Sequence, residues 1–231
     1  MNSGQRQEIS HFIKETGQET EKKIETEDMT EKKEKYVITI TRQFGSLGRP
    51  IAHKLSQLLG IEYYDRDIVE AASRKLDLPV SVISEAEESS SGFFKMVFPL
   101  GMESVTQQQR IFKAQEKIIR ELAERESCII VGRCSDYILG PDANAMHIYI
   151  YAPYGARFRN CVDTLGMQPD EAKKMITAVD KARKFYHKQY ANFTPDDPEH
   201  KDLLINSDLL GVTGTAKILA DVIRERFGTG I

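Results

Sequence analysis

The sequence is poor in the groups that would commit it to a metal, an oxidised compartment, a membrane or a large polyanion. It has only three cysteines, Cys128, Cys134 and Cys161. Their number is odd and their spacing is no metal-ligand spacing, so they read as packing residues of a reducing, cytoplasmic setting. The five histidines are scattered, with no His-Glu or His-Asp cluster, and no metal site is expected from them. No apolar run approaches the roughly 18 residues that span a bilayer. The charge is nearly balanced, 32 Lys+Arg against 35 Asp+Glu, a net of −3. That leaves no strong whole-protein field for nucleic acid or an anionic membrane surface. Collagen-like, disulfide-framework and wholly disordered classes are excluded by the same composition.

What charge there is lies unevenly. Residues 1–35 hold 7 Lys+Arg and 9 Asp+Glu, with Phe12 as their one aromatic. Such a segment buries too little apolar surface to offset its ordering entropy, so 1–35 reads as a disordered tail. It lacks the apolar centre of a secretory signal and is too acidic for a transit peptide. Ile9, Phe12 and Ile13 could dock on a partner. The body is then 36–231, with 25 basic and 26 acidic residues.

Along the body, short β-branched runs alternate with amphipathic helices. Strands are expected at Tyr36–Thr41, Ile61–Tyr64, Cys128–Val131, Met146–Tyr151 and Leu203–Asn206. Helices are expected from about Ile51 to Leu59, around Ile68–Leu76, from Glu103 to Glu126, and from Thr215 to Phe227. A helical lid hairpin is expected over 154–190, broken at Gly166–Pro169. Ser89–Gly92 reads as a flexible joint. It lies within a segment, 88–101, whose Phe93, Phe94 and Phe98 could cover an acceptor or meet another subunit. This alternation predicts an α/β fold, a parallel sheet covered by helices on both faces. Ligands of such sheets sit at the carboxyl ends of the strands, which directs attention to the residues just after each strand.

After the first strand comes Gln43-Phe-Gly-Ser-Leu-Gly48-Arg49-Pro50. It lies on the phosphate-loop pattern G-x-x-x-x-G-K-[ST], in which backbone N–H groups and a helix N-terminus cradle phosphates. The second glycine is kept. Arg49 replaces the lysine and keeps its charge with bidentate reach. Pro50 suits a first helical turn but has no hydroxyl for magnesium. After the second strand comes Tyr64-Asp65-Arg66-Asp67, and after the third Gly132-Arg133-Cys134-Ser135-Asp136. Arg157 and Arg159 open the hairpin; Asp180 and Arg183 lie on its second helix. Arginines so placed suit phosphoryl transfer, in which two polyanions must be neutralised as they approach.

Val37–Arg49, Tyr63–Asp67 and Ile130–Cys134, in this order, resemble the cytidylate kinase-like proteins. These are relatives of bacterial cytidylate kinase among the nucleoside monophosphate kinases. The resemblance runs from about Tyr36 to the C-terminus. It implies a P-loop kinase fold with a helical lid, and phosphoryl transfer from ATP with Mg²⁺ to a small acceptor such as CMP. By position it implies that Gly45, Ser46, Leu47, Gly48 and Arg49 cradle the donor phosphates and that Asn206-Ser207 holds the adenine. Asp65, Arg66, Arg133 and Asp136 would face the acceptor, and Arg49, Arg157 and Arg183 would stabilise charge during transfer. Cytidylate kinases carry a lysine and a hydroxyl where this chain has Arg49 and Pro50, and an Asp after the Gly-Arg pair where it has Cys134.

Plainer readings stand beside these. Asp65 could cap the helix that starts at Arg66. Arg133 could pair with Asp136. Arg157, Arg159 and Arg183 could belong to a solvated face. Tyr63 and Tyr64 read first as packing residues. Two further functions stay open: a non-catalytic nucleotide-binding regulator, for which Pro50 and Cys134 speak, and a kinase of another small metabolite.

Overall fold

A computed structural model of the protein describes residues 34–78, 80, 102–140 and 144–228. The tail up to residue 33, the Ser89–Gly92 joint and Phe93, Phe94 and Phe98 lie outside the described residues. The chain divides into units 1–34 and 35–231, and the fold described here is that of the second.

Five strands form one parallel sheet: β1 (Val37–Arg42), β2 (Glu62–Tyr64), β3 (Cys128–Val131), β4 (Ala145–Tyr151) and β5 (Leu203–Asn206), in the order β2-β3-β1-β4-β5. The helices are α1 (Gly48–Leu59), α2 (Arg66–Leu76), α3 (Met102–Arg125), α4 (Ser135–Leu139), α5 (Tyr154–Arg159), α6 (Pro169–Ala191) and α7 (Gly211–Phe227). A π-helical turn, Asn160–Thr164, continues α5. The expected strands and main helices are all present within a residue or two, except that α1 starts three residues earlier than Ile51 and α7 four earlier than Thr215. The short helix α4 was not foreseen.

The sheet is buried on both faces, as parallel sheets are. Because strand side chains alternate, Ile38, Ile40, Ile129, Val131, Ile148 and Ile150 pack on one face, against Ile51 and Leu55 of α1 and Leu219 and Ile223 of α7. Val37, Cys128 and Ile130 take the other face, against Ile68, Phe112, Ile119, Leu122 and Tyr186. Each fully buried Ile or Leu contributes about 1.5–3 kcal/mol. All three cysteines are buried and free, and no helix among the described residues is long and apolar enough to cross a membrane.

The strand order places a topological switch between β1 and β3. The chain leaves β1 toward one side of the sheet, for β2, and leaves β3 toward the other, for β4. A crevice opens at the carboxyl ends of strands where successive connections part in this way. Arg42 ends β1 there, and Gly132-Arg133 follows β3.

Asp136 is turned away from that crevice. Its buried carboxylate meets His187 Nε2 at 3.0 and 2.9 Å and accepts a hydrogen bond from Lys201 Nζ, while His187 Nδ1 meets the Phe193 carbonyl at 3.0 Å. The expected substrate contact at Asp136 is therefore a structural tie joining α4, α6 and the approach to β5, and Asp136 does not pair with Arg133. Burial alone would push its carboxyl up, but His187 and Lys201 outweigh it and hold the pKa well below the usual carboxylate range. A depressed carboxylate stabilises the fold above its unfolded pKa of about 4, and that contribution is lost as the pH falls further. Asp136→Asn leaves the wholly buried Lys201 ammonium without its counter-charge, so it costs about 3 kcal/mol or more at pH 7. Urea unfolding from pH 7 to pH 2 should show that difference constant down to about pH 4 and shrinking below it. Equal stability of the two proteins at pH 7 would contradict the assignment.

Candidate active site

The loop between β1 and α1 is shaped by two left-handed residues, Gly45 at φ +77 and Leu47 at φ +57. Leu47 is the N-cap of α1, and Pro50, third in the helix, falls in the first turn, where its missing N–H costs little. Ser46 is fully buried. Its hydroxyl donates to the Gln43 carbonyl (2.9 Å) and lies 3.3 Å from that of Ile150, so the side chain is turned into the fold and only its backbone is left for a phosphate. Ser207 Oγ donates to the Ser46 carbonyl at 2.7 Å, and the Asn206 carboxamide accepts from the Asp208 N–H at 3.0 Å. Ser207 thus ties the end of β5 to the back of the loop, while the Asn206 side chain closes a local turn.

Asp65 is the centre of the site. Its buried carboxylate accepts a hydrogen bond from Arg49 Nε and lies 3.8 Å from Arg42 Nη2 and 3.6 Å from Arg133 Nη2. Tyr63 Oη is 3.4 Å away. Burial pushes the Asp65 carboxyl up, and the three guanidinium groups more than reverse this, leaving it below its ordinary range. The capping role is not the one Asp65 takes: its side chain makes no bond to the start of α2. Arg133 is itself buried, and burial brings its pKa down to about 10. It sits in a run of left-handed residues, Gly132, Arg133 and Cys134 at φ +75, +63 and +52. This run turns the chain sharply from β3 into α4. Non-glycine residues in that region are strained, and such strain concentrates at functional sites.

Two clefts open on this cluster. One, of about 460 Å³, runs along the loop and is lined by Gln43, Gly45, Gly48, Arg49 and Pro50. The other, of about 500 Å³, is lined by Thr41, Gly132, Arg133, Cys134 and Tyr186. Arg42 and Arg183 belong to both linings. Arg42 directly follows the expected strand Tyr36–Thr41 but lies outside the phosphate-loop pattern, so it was not singled out as a site residue; the signal that could have found it is the pair of glycines facing it. A Cβ on Gly48 would lie 2.8 Å from Cβ and Cγ of Arg42, and one on Gly132 would collide with the Arg42 guanidinium.

The helices of the expected lid, α5 and α6, pack on the loop from the other side. Asp180 of α6 accepts the Phe44 N–H at 2.7 Å and is ion-paired with Arg157. Arg157 Nη1 also reaches the Phe44 carbonyl at 3.3 Å, Asn160 Nδ2 donates to the Gly45 carbonyl at 2.9 Å, and Arg183 Nη1 to the Arg42 carbonyl at 3.2 Å. Arg157 is thus buried against the loop rather than solvated. Arg159 is exposed and pairs with Asp208 at 3.6 Å. Arg66 is exposed at the start of α2, outside both linings. Of the expected site residues, Gly45, Leu47, Gly48, Arg49, Arg133 and Arg183 line the two clefts, and Asp65 stands behind them, paired with Arg42, Arg49 and Arg133.

A magnesium ion finds few protein ligands at the same place. Pro50 stands where the loop hydroxyl would be, both Asp65 oxygens face arginines, and no group of three metal-ligating side chains occurs among the described residues. The site does not fit a protein-held ion.

Fold and clefts define the class, a P-loop kinase-type protein with two adjoining small-molecule clefts. The chain belongs to the cytidylate kinase-like family, whose model matches residues 37–209. No curated protein matches it. Among solved structures it is similar to an uncharacterised protein from Eubacterium ventriosum, at 24% identity and TM-score 0.60, covering 85% of this chain and 100% of that one. It is similar to the protein TT1252 from Thermus thermophilus at 15% identity and TM-score 0.50, covering 84% and 98%. Shikimate kinase from Acinetobacter baumannii, in complex with shikimate, matches at 15% identity and TM-score 0.48, covering 86% and 97%.

The closeness of lid and loop is testable at Gly45. A Cβ there would lie 2.7 Å from the Arg157 carbonyl and 2.9 Å from Cys161 Sγ, on a backbone already at positive φ. Gly45→Ala should cost about 1–3 kcal/mol, read as a lower Tm. Limited proteolysis should show cleavage within Tyr154–Thr164 rising in step. An unchanged Tm would show that the lid does not rest on the loop.

Proposed function

We propose that the protein transfers the γ-phosphoryl group of ATP to a small acceptor that itself carries a phosphate, with CMP the leading candidate. The observation that carries this reading is the meeting of two clefts across one wall, Arg42 and Arg183, at the β1/β3 switch. ATP would lie in the loop cleft, its phosphates on the N–H groups of the Gly45–Arg49 turn and the start of α1. The acceptor phosphate would enter the second cleft, where Arg133 and Arg183 offer guanidinium forks that match paired oxygens. An acceptor oxygen attacks the γ-phosphorus in line, the bond to the β-phosphate oxygen breaks, and ADP leaves. A dianionic phosphate acceptor has no proton to give up, so no general base is required.

Arg49, Arg183 and Arg157 serve this step differently. Arg49 and Arg183 already stand on the clefts. Arg157 reaches a phosphate only after letting go of Asp180, so the lid must open to admit ATP and close again without that ion pair. Any magnesium would arrive on the triphosphate, held by phosphate oxygens and water, and no step is assigned to it.

A second reading has its own observation. The Phe44 N–H, in the loop, is already taken by the Asp180 carboxylate, and Pro50 lacks the hydroxyl, as suits a protein that senses nucleotide without turning it over. A coupled assay of ADP release with nucleoside monophosphates, sugars and coenzyme precursors separates the readings. The kinase reading expects turnover with CMP or another nucleoside monophosphate, and a fall of about 10²-fold or more in Arg183→Ala. ADP binding with no turnover on any acceptor would favour the regulator. Turnover on uncharged sugars alone would exclude a phosphate acceptor.

A further inference from the structure

We infer that Arg42, at the end of β1, is the side chain that meets the phosphoryl group in flight, in the part that the lysine has in the pattern G-x-x-x-x-G-K. The inference rests on the kinase reading above and adds a residue to it. Arg49 stands at the lysine position, but its Nε is spent on Asp65, its side chain is 53% exposed, and it lines the loop cleft alone. Arg42 is 10% exposed and lines both clefts. Arg42 and Arg183 are the two groups in both linings, and of them Arg42 is carried by the sheet and Arg183 by helix α6.

The path of Arg42 is built into the chain. Its stem crosses Gly48, the first residue of α1, so closely that no Cβ fits there, and its guanidinium crosses Gly132, the first residue after β3. Those two glycines belong to the loop and to the turn that define the two clefts. Asp65 holds the guanidinium from one side, and Arg183 donates to the backbone carbonyl of the same residue from the lid. A charge fixed in this way is oriented before the substrates arrive and pays no reorganisation cost at the moment of transfer. During transfer the bond from γ-phosphorus to the ADP oxygen lengthens as the bond to the acceptor oxygen forms. Arg42 then faces the non-bridging oxygens on which charge is spread, and it gains and loses no proton.

The test compares wild type with Arg42→Lys, which keeps a charge opposite Asp65, and Arg42→Met, which keeps the stem over Gly48. ADP with Mg²⁺ and CMP is titrated by calorimetry, with and without aluminium fluoride, whose planar form mimics the phosphoryl in flight. Wild type should bind ADP at least about tenfold more tightly when fluoride is present. Both variants should lose most of that gain, taken as the ratio of each protein's own affinities with and without fluoride, with Arg42→Lys retaining more than Arg42→Met. Retained binding of plain ADP shows that the variants are folded. An equal gain in wild type and variants overturns the inference and leaves the kinase reading standing. Loss of plain ADP binding in a variant whose Tm is unchanged overturns it too, because Arg42 then serves ground-state binding. A wild type that binds no ADP overturns the kinase reading, and the inference with it.

Discussion

One buried carboxylate organises the site. Asp65 follows β2, yet it holds the end of β1 through Arg42, the start of α1 through Arg49 and the turn after β3 through Arg133. Three stretches far apart in sequence are thereby fixed at one point above the sheet. A carboxylate so deeply buried is costly unless its charge is met, and a buried guanidinium likewise. Each partner therefore depends on the others, and the geometry of both clefts follows from this shared neutralisation. The left-handed run Gly132-Arg133-Cys134 and the side-chain-free Gly48 and Gly132 are what let the guanidinium groups converge.

The helix α6 carries this order outward. Asp180, Arg183 and His187, spaced by three and four residues, fall along one helical face. The first two meet the loop, and His187 meets the buried Asp136, so the lid helix is anchored at its far end by Asp136 and Lys201. Tyr186 and Tyr190 pack against Phe112 of α3 near that end. In the proposed function, the motion that admits a nucleotide therefore falls to α5, the π-helical turn and the first half of α6. These parts touch the loop through Arg157, Asn160 and Asp180, contacts that a triphosphate can replace.

The strands and the main helices were legible in the sequence because their signal is local: β-branched runs of four to seven residues, apolar positions at helical spacing, and glycines at helix ends. The carboxyl-end rule found Asp65, Arg133 and the loop for the same reason. What could not be read was long-range. Asp136 looked like a strand-end carboxylate, but its partners His187 and Lys201 lie 51 and 65 residues away. Asp65 looked like a helix cap, and the attraction of three arginines outweighed that local bond. Ser46 looked like a phosphate ligand, and the carbonyls of Gln43 and Ile150 claimed its hydroxyl. Arg42, one residue before the phosphate-loop pattern, stayed hidden because Gly48 and Gly132 look like turn residues until their closeness to its side chain is known.

Two clefts joined across a wall of arginine should accept one molecule that fills both. Adenosine and cytidine linked 5′ to 5′ through five phosphates span donor and acceptor, and their binding can be followed by calorimetry beside that of ADP and CMP alone. If the clefts are the two halves of one transfer site, the linked molecule binds at least about 100-fold more tightly than ADP, because its second half binds at high effective concentration. Binding no tighter than ADP would mean that the two clefts do not act together, and would contradict this view of the site.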